Sequence, residues 1–491
     1  MPSVGRPRRG RRVRFALAVV AALAPALLFP RTALWVLCAL LWLQAGLKLA
    51  AALHRPAPRE LPDPPEWPVF TVLVPLHRER AAVPALVRAL AALDYPRDHL
   101  DIRILCEADD PGTLDAVGEA LSGAPSHIRR ITVPVSLPRT KPKALRVGLA
   151  GAPGEVVTVY DAEDVPHPQQ LRAAARALHA DPRLVAVQAP LGVDNLAPGW
   201  ITRQFALEYA ALFHVWIPWL ARLGLVLPLG GTSNHIRRDA LERAGGWDPF
   251  NVTEDADLSY RLALCDPRPG GGRIGWIAEG TSEEAVATFR AWRNQRSRWL
   301  KGFAQTVFVH LLTPASWGRP HRFRRQGTMI ATVGLTFLTA LLHVPAVLGV
   351  VVLWGLGAWG AGQPPSPLLV ALGLGFYGSG VGVSWIGARR AGIRARGLDL
   401  ASVPLYWALM AWPGWVGFAE LFTRPHYWNK TAHGVSERRP EGEPACPTSC
   451  KVPSSTTPFC GASSASRSAP SSPHGAFAAT SPSLAATATG A

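Results

Sequence analysis

Apolar residues fall in two blocks near the ends of the chain. Phe15 to Phe29 and Leu34 to Leu53 are nearly continuous apolar runs, and three more follow residue 326, at Met329 to Trp359, Leu368 to Trp385 and Val403 to Phe422. Runs of about 20 apolar residues suit helices that cross a bilayer. Between the two blocks the pattern changes: short apolar runs alternate with stretches that are apolar on one helical face. The spacing predicts strands at Phe70 to Pro75, Ile102 to Cys106, Ile128 to Val133, Glu155 to Tyr160 and Leu184 to Gln188. It predicts helices at Ala81 to Leu93, Leu114 to Leu121, Lys143 to Ala150 and Pro168 to Ala180. This alternation predicts a mostly parallel α/β sheet, whose ligands sit at the carboxyl ends of its strands.

Composition sharpens the layout. Arg55 to Pro68 is a proline-rich linker, and residues 435–491 are rich in Ser, Ala, Pro and Thr. Such a tail cannot bury a core and is predicted to be disordered. The first apolar run resembles a signal-peptide core, but no clean cleavage site follows and a second run begins almost at once. A membrane hairpin with both ends cytoplasmic fits better. Pro413 is expected to break the last run into an interfacial or re-entrant pair, which keeps the tail inside.

The formal net charge is +17. Arginines cluster beside the apolar runs, at residues 6–14, 319–325 and 389–396. Flanking positive charge marks the cytoplasmic side, so the excess reads as topology and lipid contact. No module that reads bases is present, which argues against nucleic acid as a partner. Six cysteines are scattered without zinc-type spacing and read as reduced thiols.

Four polar features interrupt the apolar frame. Glu107, Asp109 and Asp110 follow the second strand, where carboxylates can accept hydrogen bonds from a base or ribose, or cap the next helix. Asp161, Glu163 and Asp164 follow the fourth, where one or two acids can hold a hard divalent cation against a diphosphate. Thr253, Glu254 and Asp255 open a predicted helix; an acid there can take a proton, or Thr253 can be the N-cap of a capping box. Gln295, Arg298 and Trp299 share one helical face, suited to phosphate and a sugar ring, or to a membrane surface. Lys141 and Lys143, ahead of a helix, are equally able to meet phosphate or water.

In this order, as DD, DxD, TED and QxxRW, the four features resemble those of processive family 2 glycosyltransferases, the cellulose and hyaluronan synthases and their bacterial relatives. The likeness covers roughly residues 68 to 310. It implies an α/β GT-A (Rossmann-like) catalytic domain inserted between transmembrane α-helices, and inverting transfer from a nucleotide-sugar donor, most simply a UDP-sugar, with Mg2+ or Mn2+. Asp255 would be the base, flanked by Thr253 and Glu254. Glu107, Asp109, Asp110, Lys141, Lys143 and Asp161 would bind the donor, and Asp161 with Glu163 or Asp164 the metal. Gln295, Arg298 and Trp299 would hold the diphosphate and a glycan acceptor. The second acid of the DxD is a glutamate here, which leaves its metal ligand open between Glu163 and Asp164.

The expected layout is a basic N-terminus (1–14), a membrane hairpin (15–53), a linker (54–68), the catalytic domain (69–310), a basic interfacial segment (311–326), a C-terminal membrane region (327–424), a gating segment (425–434) and the tail (435–491). The resemblance implies a multi-pass protein of the inner (plasma) membrane, in contact with membrane lipid, with its catalytic domain in the cytoplasm. Growth of a β-linked polysaccharide is the expected outcome. Transfer of one sugar to a lipid-linked acceptor is the alternative within the class, and a nucleotide-binding transporter or receptor and an inactive partner subunit are rivals outside it.

Overall fold

The computed structural model describes residues 30–56, 60–267, 272–312, 322–355 and 367–427. The expected first apolar run, most of the gating segment and the tail lie outside the described residues.

A helix, α1 (Pro30–Leu53), precedes the α/β domain. The domain opens with β1 (Phe70–Leu76), α2 (Val83–Ala91), β2 (Leu100–Glu107), α3 (Pro111–Leu121), β3 (Ile128–Val133), α4 (Lys141–Leu149) and β4 (Val156–Val159). β1 and β2 are buried nearly throughout because both faces of this part of the sheet are covered, and the charges β2 carries are paired, as Arg103 is with Asp101. β1 pairs in parallel with both β2 and β4, and β2 with β3. All four therefore end on one edge. α4 starts at Lys141, two residues before the expected start. Pro142 sits in its first turn, where a missing N–H costs nothing.

The second half holds β5 (Val165–Pro166), α5 (Gln170–Ala180), β6 (Leu184–Gln188), β7 (Leu191–Val193), α6 (Trp200–Ala211), α7 (Ile217–Arg222), β8 (Asn234–Arg237), α8 (Arg238–Arg243), α9 (Glu254–Cys265), β9 (Arg273–Trp276) and β10 (Thr281–Glu283). The main sheet runs β3-β2-β1-β4-β8-β6-β9. β8 is antiparallel to both neighbours, the exception to the expected parallel order. Its sequence, Asn-His-Ile-Arg, carries no apolar run. It is held instead by partners such as Thr158 Oγ1, 2.7 Å from His235 Nδ1. A small second sheet, β5-β10-β7, lies apart from the main one.

The chain continues through α10 (Phe289–Leu312), α11 (Arg322–Met329), α12 (Leu335–Gly355), α13 (Pro367–Arg390), α14 (Gly397–Ala401), α15 (Val403–Leu409) and α16 (Ala411–Thr423). Two stretches, Phe323–Val352 and Val370–Arg390, are long and apolar enough to cross a membrane by length and composition. The last apolar run does not form one helix. Pro413 has no N–H for the Leu409 carbonyl, α15 ends there, and α16 resumes with Gly414 N donating to Met410 O at 3.0 Å. α16 packs on α10, where the fully buried Lys301 ammonium meets Glu420 Oε2 at 2.8 Å.

Candidate active site

The carboxyl ends of β1, β2 and β4, the start of α9 and one face of α10 enclose a cavity of about 270 Å³. Each wall is set by local chemistry.

After β1 the chain turns at Arg78, a left-handed residue (φ 59°). The turn is held from the next strand end: Arg78 N donates to Asp110 Oδ2 at 2.5 Å, and Glu79 N to Thr113 Oγ1 at 3.1 Å. Asp110 also caps α3 by accepting from Thr113 N. Burial opposes its ionisation, but these hydrogen bonds outweigh burial and hold the carboxyl below its usual range. Asp110 thus serves the turn and does not line the cavity, whereas Glu107 and Asp109 do. Asp109 is paired with Arg139 at 2.7 Å on the half-open rim. Lys143, expected at the donor, does not line the cavity: its ammonium is buried 2.8 Å from Glu107 Oε2 and 3.0 Å from Pro134 O.

The turn after β4 repeats this division. Asp161 and Glu163 line the cavity, but Asp164 is folded back. Its Oδ2 accepts from Asp161 N at 2.7 Å and from the Thr232 hydroxyl, while its buried Oδ1 has no partner among the described residues. Burial, then Asp161 and Glu163, push its carboxyl well above the usual range. Lys141 supplies positive charge, its ammonium contacting Asp161 Oδ1 and, at 2.7 Å, Gly231 O. Burial alone would lower the Lys141 pKa; Asp161 and Glu254 more than offset that.

Gly230 and Gly231 bring backbone into the middle of the site. Gln188 fixes them, accepting from Gly230 N at 2.9 Å and donating to Thr232 O at 3.0 Å. A Cβ at Gly231 would lie 3.5 Å from Asp255 Oδ2, 3.7 Å from Lys141 Nζ and 4.0 Å from Asp161 Oδ2. Three separate features of the sequence therefore converge on one point.

Thr253 stands at the N-cap of α9, but its hydroxyl makes no capping bond, which corrects the capping-box expectation. Asn251 does the local work, accepting from Thr253 N at 3.0 Å. Thr253 packs instead under Gly302 of α10, where any Cβ would collide with its side chain. That close approach brings Gln295, Arg298 and Trp299 to the cavity beside Glu254 and Asp255. Burial raises the Asp255 pKa against the pull of Ala256 N–H, Lys141 and Arg298. Burial, then Asp255, raise Glu254 to about 7. The Gln295 Oε1 is buried without a partner among the described residues.

Tyr209 and the acids Glu283 and Glu284 also line the cavity, and the sequence analysis missed them. Tyr209 stacks on Trp299 with ring planes 13° apart, and its hydroxyl bonds the Glu283 carboxylate. Their available signal was an acidic pair shortly before the Gln295–Trp299 motif, on a strand too short to show periodicity. Arg296, between the motif residues, points away. It pairs with Glu208 at 2.7 Å and lies 4.3 Å from the Trp299 ring centre, bracing that ring from behind.

A cavity lined by acids at the carboxyl ends of the strands is where open α/β sheets in general bind their ligands. Residues 156–413, just over half the chain, match the family described as Glycosyl transferase family group 2, and residues 71–235 match Glycosyl transferase family 2. The chain belongs to glycosyl transferase family group 2. It is 28% identical over 275 residues to the probable glycosyltransferase YdaM of Bacillus subtilis, covering 55% of this chain and 63% of that protein. It is 29% identical over 273 residues to the beta-monoglucosyldiacylglycerol synthase of Synechocystis, covering 55% of each. It is 28% identical over 242 residues to glucomannan 4-beta-mannosyltransferase 2 of Arabidopsis thaliana, covering 48% of this chain and 44% of that one. The chain thus spans about half the length of these curated relatives. In fold it is similar to the mannosyltransferase PcManGT of Pyrobaculum calidifontis, solved with GDP-Man and Mn2+: TM-score 0.54, 20% identity, 83% of this chain and 99% of that one.

Proposed function

We propose that the chain is an inverting glycosyltransferase that moves a sugar from a nucleotide-sugar donor to an acceptor at a membrane face, with Asp255 as the base. One observation carries this reading: Asp255, Lys141 and Asp161 all lie within 4.0 Å of the point a Gly231 Cβ would occupy. A proton acceptor thereby faces the groups suited to a diphosphate across a gap that a sugar can fill.

In the reaction, Asp255 takes the proton of the acceptor hydroxyl as that oxygen attacks the anomeric carbon. Its raised pKa suits a base better than an ordinary aspartate would. Arg298 and Lys141 offset the charge that grows on the diphosphate as the bond to the sugar breaks. Trp299, held between Tyr209 and Arg296, lines the part of the cavity where the acceptor would sit. Asp161 and Glu163 would hold Mg2+ or Mn2+. Two carboxylates suit such an ion, which completes its shell with water and phosphate oxygens, and the orphaned Asp164 oxygen sits where acids crowd one another, a crowding that a cation would relieve. When bound, the ion would supply further positive charge against the diphosphate. Asp109 and Glu107 are placed for the nucleoside.

The long apolar helices and the arginines at their ends support a multi-pass protein of the plasma membrane with a cytoplasmic active site. Elongation of a β-linked polysaccharide is the reading for the acceptor. The similarity to a glycolipid synthase favours a second, transfer of one sugar to a lipid. We assign residues 425–434 as a gate. Its described part lies against the loop that leads to Asp255, with His426 Nδ1 2.9 Å from Phe250 O.

The test is nucleotide release by purified protein across UDP- and GDP-sugars, with metal or EDTA, beside Asp255→Asn. A base contributes about 10²–10⁴-fold, so the variant should lose that much turnover and keep donor binding. Near-normal turnover in the variant would remove Asp255 from this role. Product size on a gel separates polymer from single transfer.

A further inference from the structure

Three helices end side by side on a cluster of cations with no paired acid among the described residues. His54 and Arg55 follow α1, Arg222 closes α7 and Arg390 closes α13. Arg390 is fixed in place, its two terminal nitrogens donating to Ala52 O at 2.6 Å and His214 O at 3.1 Å. Arg222 Nη1 donates to His54 Nδ1 at 3.1 Å. Burial first, then Arg222 and Arg390, hold His54 below its usual range, so it accepts from Arg222 as a neutral ring. Arg390 also lies close enough to Arg55 to feel its charge. No carboxylate pairs with Arg55, Arg222 or Arg390 among the described residues, although most other buried or half-buried arginines here have one. Part of this charge answers the negative ends of the helices, but Arg55 and Arg222 are solvent-exposed and remain available.

A second feature accompanies the charge. Large apolar side chains stand exposed on the same helix ends: Leu53 at 86% beside His54, and Leu223 at 42% beside Arg222. Trp385, on the last turns of α13, is exposed and stacked under Arg389 at 5.1 Å. Cations next to exposed Leu and Trp fit a headgroup with acyl chains beside it better than they fit a free ion.

We infer that the joined ends of α1, α7 and α13 form a binding site for the phosphate headgroup of an anionic phospholipid, held by Arg55, Arg222 and Arg390 against the exposed leucines. The inference rests on the proposed membrane location. Arg390 orders the site and the two exposed arginines contact the phosphate. Such a lipid would bind the apolar helices to the base of α6, the helix that carries Tyr209 into the active site.

The probe is short-chain phosphatidylglycerol against short-chain phosphatidylcholine, titrated on the purified full-length protein. Three proteins are compared: wild type, Arg55→Gln/Arg222→Gln, and the control Arg97→Gln/Arg183→Gln, which removes the same charge from exposed positions of the α/β domain. Wild type and control should prefer the anionic lipid at least tenfold by order of magnitude, and each cluster arginine lost should weaken it about fivefold. Equal affinity for the two lipids in wild type, or an unchanged preference in the cluster variant, overturns the site. Displacement of the lipid by an equal concentration of inorganic phosphate overturns the lipid as its occupant. Carbonate extraction of cell membranes tests the membrane location separately, because the short-chain lipids report on the site whether or not the chain is inserted.

Discussion

The two acidic turns, Glu107 to Asp110 and Asp161 to Asp164, share one plan and differ in how well it is completed. Each follows a parallel strand, sends its earlier acids to the cavity and folds its last acid back. In the first turn the folded acid is satisfied: Asp110 accepts two backbone N–H groups and is held ionised. In the second it is not: Asp164 keeps one oxygen without a partner, beside two like charges. The first turn is a finished structural joint. In the second, burial and two neighbouring acids disfavour the charge of the last acid, a crowding that a nearby cation would relieve. The same backbone device thus supports two roles, and the difference lies in where the donors fall: Asp110 has one on each oxygen, Asp164 has both on one.

The largest predicted effect separates the acids that face the cavity. Asp161→Asn should cut turnover by about 10²–10³-fold, the scale for losing one group that stabilises charge in the transition state. Asp109→Asn, on a half-exposed pair with Arg139, should raise KM for the donor by about tenfold or less and leave kcat close to wild type. Steady-state kinetics on both variants checks this. Equal losses of kcat would abolish the distinction between the two turns.

Much of this was legible in the sequence, for a physical reason. β1, β2 and β4 are buried on both faces, β3 at the sheet edge is half-exposed, and the ends of all four fell within one or two residues of expectation. β7 to β10 have three or four residues each and are held by polar partners or by close glycines, so no period could show them. Every motif acid was visible, but its direction was not. Asp109 and Asp110 look alike in sequence; one meets Arg139 on the rim and the other caps α3. The same is true of Glu163 and Asp164, and of Arg296 beside Arg298. Direction is set by long-range partners such as Thr232 and Glu208, which no local pattern can supply.

The corner at Thr253 to Asp255 sides with the second turn, because its acids too are crowded. Glu254 is raised to about 7 by burial and then by Asp255. The sign follows from proton binding. Between the unfolded value of 4.5 and about 7 the unfolded chain gives up a proton that the native protein keeps, so stability falls as pH rises through this window. Glu254→Gln should flatten that fall and leave the ligand-free protein more stable than wild type at pH 8, by roughly 1–3 kcal/mol. Thermal unfolding in detergent at pH 5.5 and pH 8 reads it directly. A wild-type fall with pH that is unchanged in the variant would place the charge elsewhere.

Next in size is the finished joint. Asp110→Ala removes the cap of α3 and the acceptor that holds Arg78 in its left-handed turn. The cost should be about 1–2 kcal/mol, seen as a lower unfolding midpoint at pH 7. Adding metal or donor should not restore the loss by more than it stabilises wild type, since neither touches Asp110.

The smallest effect is the sharpest test of the contrast, because it is expected to have nearly the opposite sign. Asp164→Asn keeps an oxygen for Asp161 N–H and the Thr232 hydroxyl, and puts an amide N–H where the unpartnered oxygen now sits, beside the Asp161 and Glu163 carboxylates. An acid whose ionised form is strongly disfavoured by burial and by its neighbours is exchanged for a neutral donor. The metal-free protein should then unfold within about 1 kcal/mol of wild type, and on the stable side. The same variant should gain less from added Mn2+ than wild type does, because Asp164 can ionise as positive charge arrives and Asn cannot. Measured side by side, a loss in Asp164→Asn as large as that in Asp110→Ala would mean that both folded-back acids are plain structural joints, and that the difference between the turns does not reside in Asp164.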